Sequence, residues 1–478
     1  MKKKSAYHLV ISLGAVLLTL QALLLVSLLT RERRDVNEGD EDLGEFLNVT
    51  NLIGLPVVIL DHHILNRIEG ASSVASIKSR QKCLTCLTSK PILLAVEYKR
   101  VNPLKENAFI NKLAEYDFSV VVLYNKSPLE VVPSLDQVPI AYVCKRRIPI
   151  VVSLLHEREG NFWWTGQVYS DPEAELKLQT LGLASKDLNS LEREGALDKF
   201  EVTTHQLSDF SSPFTTPLNV YSFFREFRQS HFKECSWHRA LEFEKKYGST
   251  RKTPDGRWFA HRAWKILDRA KTILDGLDVP FWISSGTCLG YFRQCDIIPH
   301  AKDVDIGIFA KDFKKQIVPA FVARGMALKH HFGRLNDSLE LSFLDLSSGV
   351  KLDLFFFYEG KAGENHRIKT DTSSAYRNKI IWNGGTQAKT GKKFKYIFPP
   401  ISLCWTEFLA LKVRIPCNTL DYILANYGHD WKVPVSVWDW KSSPPNVIPN
   451  GEWPQSEWPE VIRVYYPELQ IAKFQYKK

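Results

Sequence analysis

The chain contains 478 residues, of which 44% are hydrophobic and 24% are charged, enough for a membrane anchor and two globular domains. Its formal net charge of +10 is spread along the sequence without a recognised nucleic-acid-binding motif, which argues against a partner made of DNA or RNA. An anionic substrate or a membrane surface suits this charge distribution better.

The first element is an uncharged, mostly apolar run of 21 residues from Leu9 to Leu29. That length spans a bilayer as an α-helix and exceeds the hydrophobic region of a secretory signal peptide. The residues that follow it, TRERR from position 30, contain no small-residue cleavage pattern. We therefore predict a cytoplasmic tail over 1–8, an uncleaved transmembrane signal anchor over 9–29 and a solvated stem over 30–51.

Charge does not orient this anchor, because lysines at positions 2–4 precede it and arginines at 31, 33 and 34 follow it. N-glycosylation sequons begin at Asn48, Asn125 and Asn336, and we expect Asn48 to carry a glycan. These sequons favour a luminal body and hence a single-pass type II protein of the secretory pathway.

Residues 52–245 are predicted to form a luminal α/β domain. Strand-like apolar runs, several of them separated by helix-compatible segments, occur at 56–61, 91–95, 118–123 and 148–155. Cys83 and Cys86 resemble half of a zinc ribbon, but no second close pair completes it, so a local disulfide or buried thiols are favoured over metal. No catalytic constellation stands out here, which favours a role in positioning or recognition.

The polar, turn-rich stretch from Lys245 to Arg257 is the expected domain boundary, and 258–478 is the second predicted domain. Apolar residues at three- and four-residue spacing from Trp264 to Leu277 predict an amphipathic helix. The elements expected after it are strands at 281–284 and 303–309, helices at 288–294 and 313–324, a hairpin of 339–346 with 350–358, and a mobile insertion over 359–375.

Three aspartates carry the strongest chemical signal. Asp303 and Asp305 alternate along one strand and so project from one face, and Asp353 lies in an apolar run that predicts a neighbouring strand. Carboxylates about 4 Å apart repel by roughly 1 kcal/mol in water and about 4 kcal/mol at an effective dielectric of 20. Because such a cluster needs a cation or a protonated member, we predict that all three are catalytic residues and ligands of Mg²⁺ or Mn²⁺. An exposed strand edge is the alternative for the first two.

Further residues are expected to bind the phosphates of a donor. A turn at Gly286 and Thr287 would bring backbone N–H groups close to a phosphate, and Arg293 is a candidate bidentate ligand or else a surface arginine. Lys389 and Lys392 are candidate partners of a diphosphate or of a phosphorylated acceptor, or else part of a solvated surface. A Gly-Thr turn, an acid-x-acid pair and a third acid on a later strand together form the nucleotidyltransferase-fold pattern.

The segments 281–299, 302–309, 351–358 and 382–395 resemble the LicD family of CDP-alditol and phosphocholine transferases, and within it the fukutin branch. The likeness extends over roughly residues 50 to 466. It implies an α/β protein with an N-terminal transmembrane helix, a mixed α/β stem-side domain and a C-terminal nucleotidyltransferase-like catalytic domain. His300-Ala301-Lys302 stand where many LicD proteins carry further acids, which leaves the number of metal ions open.

The resemblance also implies a Golgi enzyme that moves ribitol 5-phosphate from CDP-ribitol to the phosphorylated O-mannosyl glycan of α-dystroglycan and releases CMP. It further implies association with fukutin-related protein and with the protein O-mannose N-acetylglucosaminyltransferase. On this hypothesis Asp353 is a candidate to deprotonate the acceptor hydroxyl. The alternatives are a LicD-type phosphocholine transferase, a glycosyltransferase that uses the Asp-x-Asp pair, and a non-catalytic Golgi scaffold.

Overall fold

The computed structural model describes residues 18–25, 38–69, 84–85, 91–101, 103–126, 137–168, 172–188, 193–206, 212–248, 253–361, 379–435 and 437–466. These residues form two compact units. The first contains the described residues up to 126 together with 137–157 and 163–229, and the second contains 158–162 and the described residues from 230 onward. The division after Gln229 comes before the polar stretch that the sequence favours as the domain boundary.

Most of the predicted tail and anchor lies outside the described residues. Within 9–29 the structure describes helix α1 (18–25), whose leucines are exposed. Among the helices that the structure describes, none combines the length and the apolar character needed to cross a membrane. The cysteine pair at 83 and 86 and nearly all of the predicted insertion, residues 362–375, also lie outside the described residues.

The predicted stem needs a correction, because residues 38–52 form helix α2 of the first unit. Leu43, Phe46 and Leu47 recur at helical spacing, and all three are buried in the core of that unit. This part of the chain is therefore folded rather than solvated.

The first unit is built on one sheet. Its strands are β1 (Val58–Ile59), β2 (Ile92–Glu97), β3 (Ser119–Lys126), β4 (Gln137–Lys145), β5 (Pro149–Arg158), β6 (Phe162–Thr165), β7 (Gly195–Asp198), β8 (Val202–His205) and β9 (Phe214–Pro217). Its further helices are α3 (His62–Glu69), α4 (Pro103–Glu115), α5 (Pro172–Gln179) and α6 (Val220–Gln229). The strand order is β3-β4-β5-β2-β1-β9-β8, with β6 and β7 attached beside β5. The predicted α/β character is confirmed, and β2 and β5 form the parallel, almost wholly apolar centre.

The second unit also contains one large sheet. Its strands are β10 (Phe281–Ile283), β11 (Asp303–Phe309), β12 (Met326–Arg334), β13 (Asp337–Asp345), β14 (Lys351–Lys361), β15 (Lys379–Thr386), β16 (Lys392–Phe398), β19 (Val447–Glu452) and β20 (Ile462–Val464), and a separate hairpin is formed by β17 (Leu403–Phe408) and β18 (Leu411–Pro416). Its helices are α7 (Trp237–Tyr247), α8 (Pro254–Gly276), α9 (Ser285–Gln294), α10 (Ile317–Ala323), α11 (Thr419–Tyr427) and α12 (Trp458–Val461). The predicted hairpin of β13 and β14 and the strand at 303–309 are confirmed.

Strand β14 organises this sheet because it has partners along its whole length. Its first part, from Lys351 to Phe357, runs parallel to β11, and its last part, from Tyr358, pairs with β15. Alternate residues of β11 and β14, among them Val304, Ile306 and Leu352, are fully buried in the core of the unit, to which α8 also contributes. The opposite face of the same two strands carries the aspartates.

Candidate active site

The three predicted aspartates meet on one face of the sheet. In the parallel register of β11 and β14, Asp305 lies opposite Asp353, and Asp303 lies opposite Lys351. One carboxylate oxygen from each aspartate lies within 4.8 Å of the others. Ligands on opposite sides of a Mg²⁺ ion are about 4.2 Å apart, because each Mg–O bond is about 2.1 Å long. Three hard oxygen ligands at this spacing fit a divalent cation after a small adjustment of the side chains.

Helix α9 holds Asp305 in place. The chain turns sharply between β10 and α9 at Ser285, whose φ is 42°. The Gly286 N–H then donates a hydrogen bond of 3.0 Å to the Asp305 carboxylate, and the Asp305 N–H donates one of 2.8 Å to the Thr287 hydroxyl. Gly286 lines the cavity described below, whereas Thr287 is buried and does not. The role predicted for Thr287 is therefore corrected: it positions Asp305 and does not face a phosphate.

Lys351 supplies a positive charge that the sequence analysis overlooked. Its ammonium lies 3.2 Å from a carboxylate oxygen of Asp303 and 2.9 Å from one of Asp353. The other oxygen of Asp353 accepts a hydrogen bond from the Ser342 hydroxyl. The signal for Lys351 was present in the sequence, because a residue two positions before Asp353 on a strand must project from the same face.

The positive charge of Lys351 does not fully balance the negative charge of the three aspartates. Burial raises the pKa of Asp305 well above its usual range, and the charges of Asp303 and Asp353 raise it further. Burial and the Asp353 charge also raise the pKa of Asp303. Burial alone would lower the pKa of Lys351, but the two carboxylates raise it, so the ammonium stays charged. Two carboxylates with raised pKa values next to a charged lysine still favour an additional cation.

The aspartates border a cavity of about 670 Å³. Arg293 lines it from α9 and is 5% exposed, so the alternative of a surface arginine is excluded. Its guanidinium donates to the side-chain oxygen of Gln294 and lies 4.6 Å from the ring centre of Phe243. Burial lowers the pKa of Arg293 to about 10, and among the described residues no carboxylate pairs with it. A buried cation without an anion beside a cavity is suited to bind a phosphate.

Lys389 and Lys392 do not join this site. Both side chains are exposed, and neither lines the cavity. The strand that carries Lys392 reaches the cavity through Tyr396 and Phe398 instead. The solvated-surface alternative therefore describes these two lysines.

Asn48 is poorly placed to carry a glycan. It lies on α2, is half-buried, and its side-chain oxygen is within 3.4 Å of the Ser212 hydroxyl. Val49 and Thr50, which complete the sequon, are buried. An N-linked glycan is bulky and belongs on an accessible surface, so this prediction is not supported by the surroundings of Asn48.

Other cavity-lining residues were given no role by the sequence analysis, although Asn383 lies in the segment 382–395 that carries part of the family resemblance. The side-chain oxygen of Asn383 is buried, and no residue that the structure describes donates a hydrogen bond to it. Trp438, Trp440 and Tyr396 give the cavity an aromatic wall. These residues lie near the aspartates because of the strand register and because the C-terminal segment packs beside the sheet. Local sequence patterns could not predict that proximity.

Family models and known proteins resemble this chain over most of its length. The family described as LicD/FKTN/FKRP, nucleotidyltransferase domain matches residues 278–418, and the family described as Fukutin N-terminal matches residues 31–263. The proteins called Ribitol-5-phosphate transferase FKTN in Mus musculus and in Homo sapiens are each 40% identical to this chain over 431 residues, which is 88% of this chain and 87% of theirs. An uncharacterised protein of Caenorhabditis elegans is 31% identical over 209 residues, 42% of this chain and 50% of its own length. By these similarities, the chain belongs to the fukutin family.

Proposed function

We propose that this protein transfers ribitol 5-phosphate from CDP-ribitol to the phosphorylated O-mannosyl glycan of α-dystroglycan and releases CMP. The similar mouse and human proteins bear the name of a ribitol-5-phosphate transferase. The observation that carries the proposal is the meeting of Asp303, Asp305 and Asp353 beside a cavity that is also lined by a buried arginine, with which no described carboxylate pairs. That combination suits a diphosphate donor, which needs positive charge on several oxygens.

In the proposed reaction, Asp303, Asp305 and Asp353 would hold Mg²⁺ or Mn²⁺. When bound, the ion would supply positive charge to the donor diphosphate and to the CMP leaving group. Gly286 orients Asp305 through its N–H, and the Lys351 ammonium offsets part of the repulsion between the carboxylates of Asp303 and Asp353 through its two ion pairs. Arg293 binds a phosphate oxygen from the α9 side of the cavity.

The rest of the cavity fits the organic parts of the donor. The unpartnered oxygen of Asn383 accepts a hydrogen bond from a hydroxyl or amino group of CDP-ribitol. Trp438 or Trp440 provides a flat apolar surface for the cytosine ring. A polyol and a nucleoside both offer the donors that Asn383 requires.

We also propose a cellular location and protein partners. The protein lies in the Golgi membrane as a single-pass type II protein, with 1–8 in the cytoplasm, 9–29 as the anchor and the catalytic part in the lumen. It associates there with fukutin-related protein and with the protein O-mannose N-acetylglucosaminyltransferase. The support is the 21-residue apolar run and the family resemblance.

The test uses full-length protein purified in detergent. It is incubated with CDP-ribitol, Mg²⁺ or Mn²⁺ and a phosphorylated O-mannosyl glycopeptide, and the glycopeptide is weighed by mass spectrometry. We expect a gain of one ribitol phosphate with wild type, no gain with Asp305→Ala, and a normal gain with Asp312→Ala. Asp312 is the matched control because it is an acid three residues beyond β11 that does not line the cavity.

Two further donors separate the alternatives. CDP-choline replaces CDP-ribitol to detect a phosphocholine transferase, and nucleotide sugars replace it to detect a glycosyltransferase. Product from either donor but not from CDP-ribitol would contradict the proposed substrate. Absence of product from every donor, with a folded wild-type protein, would favour the non-catalytic scaffold.

A further inference from the structure

A second polar group shares the face of the sheet that carries the aspartates. Strand pairing places Asp305 opposite Asp353, Asp353 opposite Ser342, and Ser342 opposite His330. Side chains of directly opposite residues project from the same face, so these four residues form one row across β11, β14, β13 and β12. Neighbouring strands are about 4.8 Å apart, which puts His330 about 10 Å from Asp353 along the row.

His330 is held by a carboxylate. Its Nε2 lies 2.9 Å from an oxygen of Glu340 on the adjacent strand, and the two side chains are 16% and 14% exposed. The imidazole also stacks on Phe332, with ring centres 4.2 Å apart and planes at 7°. Both His330 and Glu340 line the cavity. A neutral imidazole that donates Nε2–H to a carboxylate keeps Nδ1 as a proton acceptor.

The other candidates for a base are less suitable. Each oxygen of Asp353 already accepts a hydrogen bond, one from Ser342 and one from Lys351, so both oxygens are engaged before an acceptor hydroxyl arrives. His300 also lines the cavity, but its side chain is exposed, and no hydrogen bond to a described residue fixes its tautomer. Burial raises the pKa values of Tyr396 and Tyr427, which keeps both phenols neutral.

We propose that His330 is the catalytic base of the transfer reaction and that Glu340 is its positioning residue; this inference rests on the function proposed above. The acceptor hydroxyl loses its proton to Nδ1 of His330, and its oxygen forms a bond to the phosphorus that bears ribitol. The bond from that phosphorus to the CMP oxygen breaks, and CMP departs with the electron pair. The imidazolium is stabilised by Glu340 until its proton returns to solvent.

The test compares His330→Gln with His331→Gln in the full-length protein. His331 is the neighbouring imidazole on β12, and because successive residues of a strand alternate it projects from the opposite face. We expect kcat of His330→Gln to fall about 100-fold, the loss typical of a missing general base, with KM for CDP-ribitol within about threefold of wild type. We expect His331→Gln to retain kcat within about threefold, and Glu340→Gln to lose less than His330→Gln.

Chemical rescue separates catalysis from a structural role. Imidazole added to His330→Ala should restore part of kcat, because it can occupy the space of the missing ring, and it should not change the rate of Asp305→Ala. His330→Asn is the second variant if His330→Gln prevents folding, which thermal melting would reveal.

The outcomes distinguish the two proposals. If wild type forms product but His330→Gln and His330→Asn turn over as fast as His331→Gln, the base assignment is overturned while the transferase proposal stands. If wild type forms no ribitol phosphate product at all, the proposed function fails and the base assignment fails with it. A kcat loss confined to position 330 and relieved by imidazole supports the assignment.

Discussion

Asp305 is the residue at which charge and burial conflict most strongly. The residue is 7% exposed and its carboxylate faces two others, so that burial together with their charges raises its pKa well above the usual range. A carboxyl whose pKa is higher in the folded than in the unfolded protein destabilises the fold when it ionises. The cost is absent below the unfolded pKa of about 3.9, grows as pH rises from there to the folded pKa, and is constant above it.

Asp305→Asn is therefore expected to stabilise the metal-free protein. Asparagine keeps an oxygen to accept the Gly286 N–H but removes the charge. In chelator-treated protein at pH 7.5 we expect the variant to gain about 1 to 3 kcal/mol in the free energy of unfolding, and to gain almost nothing near pH 4. Denaturant titrations at the two pH values measure this. A variant that is less stable than wild type at both would show that the carboxylate is not under strain.

Lys351 is the second residue whose charge decides the behaviour of the site. Its ammonium contacts Asp303 and Asp353, where it competes with any added cation. Lys351→Met should lower the free energy of unfolding of metal-free protein by about 2 kcal/mol and tighten Mn²⁺ binding about tenfold, since 1.4 kcal/mol of repulsion corresponds to that factor.

Lys302→Met is the matched control for that variant. Lys302 precedes Asp303 but is exposed, and it makes no ion pair with any described residue. The Mn²⁺ affinity of the Lys302→Met variant should match that of wild type within about twofold. Equal or weaker Mn²⁺ binding by Lys351→Met would mean that the ammonium does not compete with metal.

At the scale of elements, Gly307 sets the contact between β10 and β11. It lies opposite Trp282 in the strand register, and a Cβ built on it would lie 2.3 Å from the indole ring. Gly307→Ala must therefore displace a fully buried tryptophan, which should cost about 1 to 3 kcal/mol in the free energy of unfolding. Gly276→Ala is the control, because a Cβ there meets nothing within 4 Å. Equal melting temperatures for the two variants would contradict the packing described for β10.

Elements with a strong local pattern were predictable from the sequence. The β13–β14 hairpin, the strand at 303–309 and the amphipathic α8 follow from apolar periodicity and from the turn at Ser347-Ser348-Gly349. Helix α2 was missed because its acidic first turn at 38–42 was taken for a solvated stem, although Leu43, Phe46 and Leu47 already had helical spacing.

The three aspartates of the site were predictable from the sequence. Two of them share one strand, and the third lies in an apolar run that predicts a neighbouring strand. Asp303, Asp305 and Asp353 were identified because alternation fixes the face of each strand. Lys389 and Lys392 were candidates for a diphosphate or a phosphorylated acceptor because they are basic and follow the acids in sequence, but their side chains are exposed outside the cavity. Charge and sequence order do not give the direction of a side chain. The row from Asp305 to His330 forms only when β12, β13 and β14 pair, which no local pattern predicts.

At the scale of the whole molecule, the groups suited to hold a metal are unevenly distributed. Among the described residues, the clusters of three possible ligands, Asp303–Asp305–Asp353 and His231–Cys404–Cys417, both belong to the second unit. In the second cluster Cys404 and Cys417 form a disulfide, which removes their thiolates as ligands. The candidate metal site therefore lies in the unit that carries the nucleotidyltransferase match, while the net charge of +10 favours attraction of an anionic donor by the chain as a whole.

The most direct test of the account is a calorimetric titration of Mn²⁺ into full-length protein saturated with CDP. The three aspartates and the nucleotide diphosphate should together bind Mn²⁺ in wild type and in Asp312→Ala, and Asp305→Ala should bind it at least about tenfold more weakly, a loss of 1.4 kcal/mol or more. Mn²⁺ binding by Asp305→Ala with wild-type affinity would contradict the central claim that these carboxylates bind the metal that contacts the donor diphosphate.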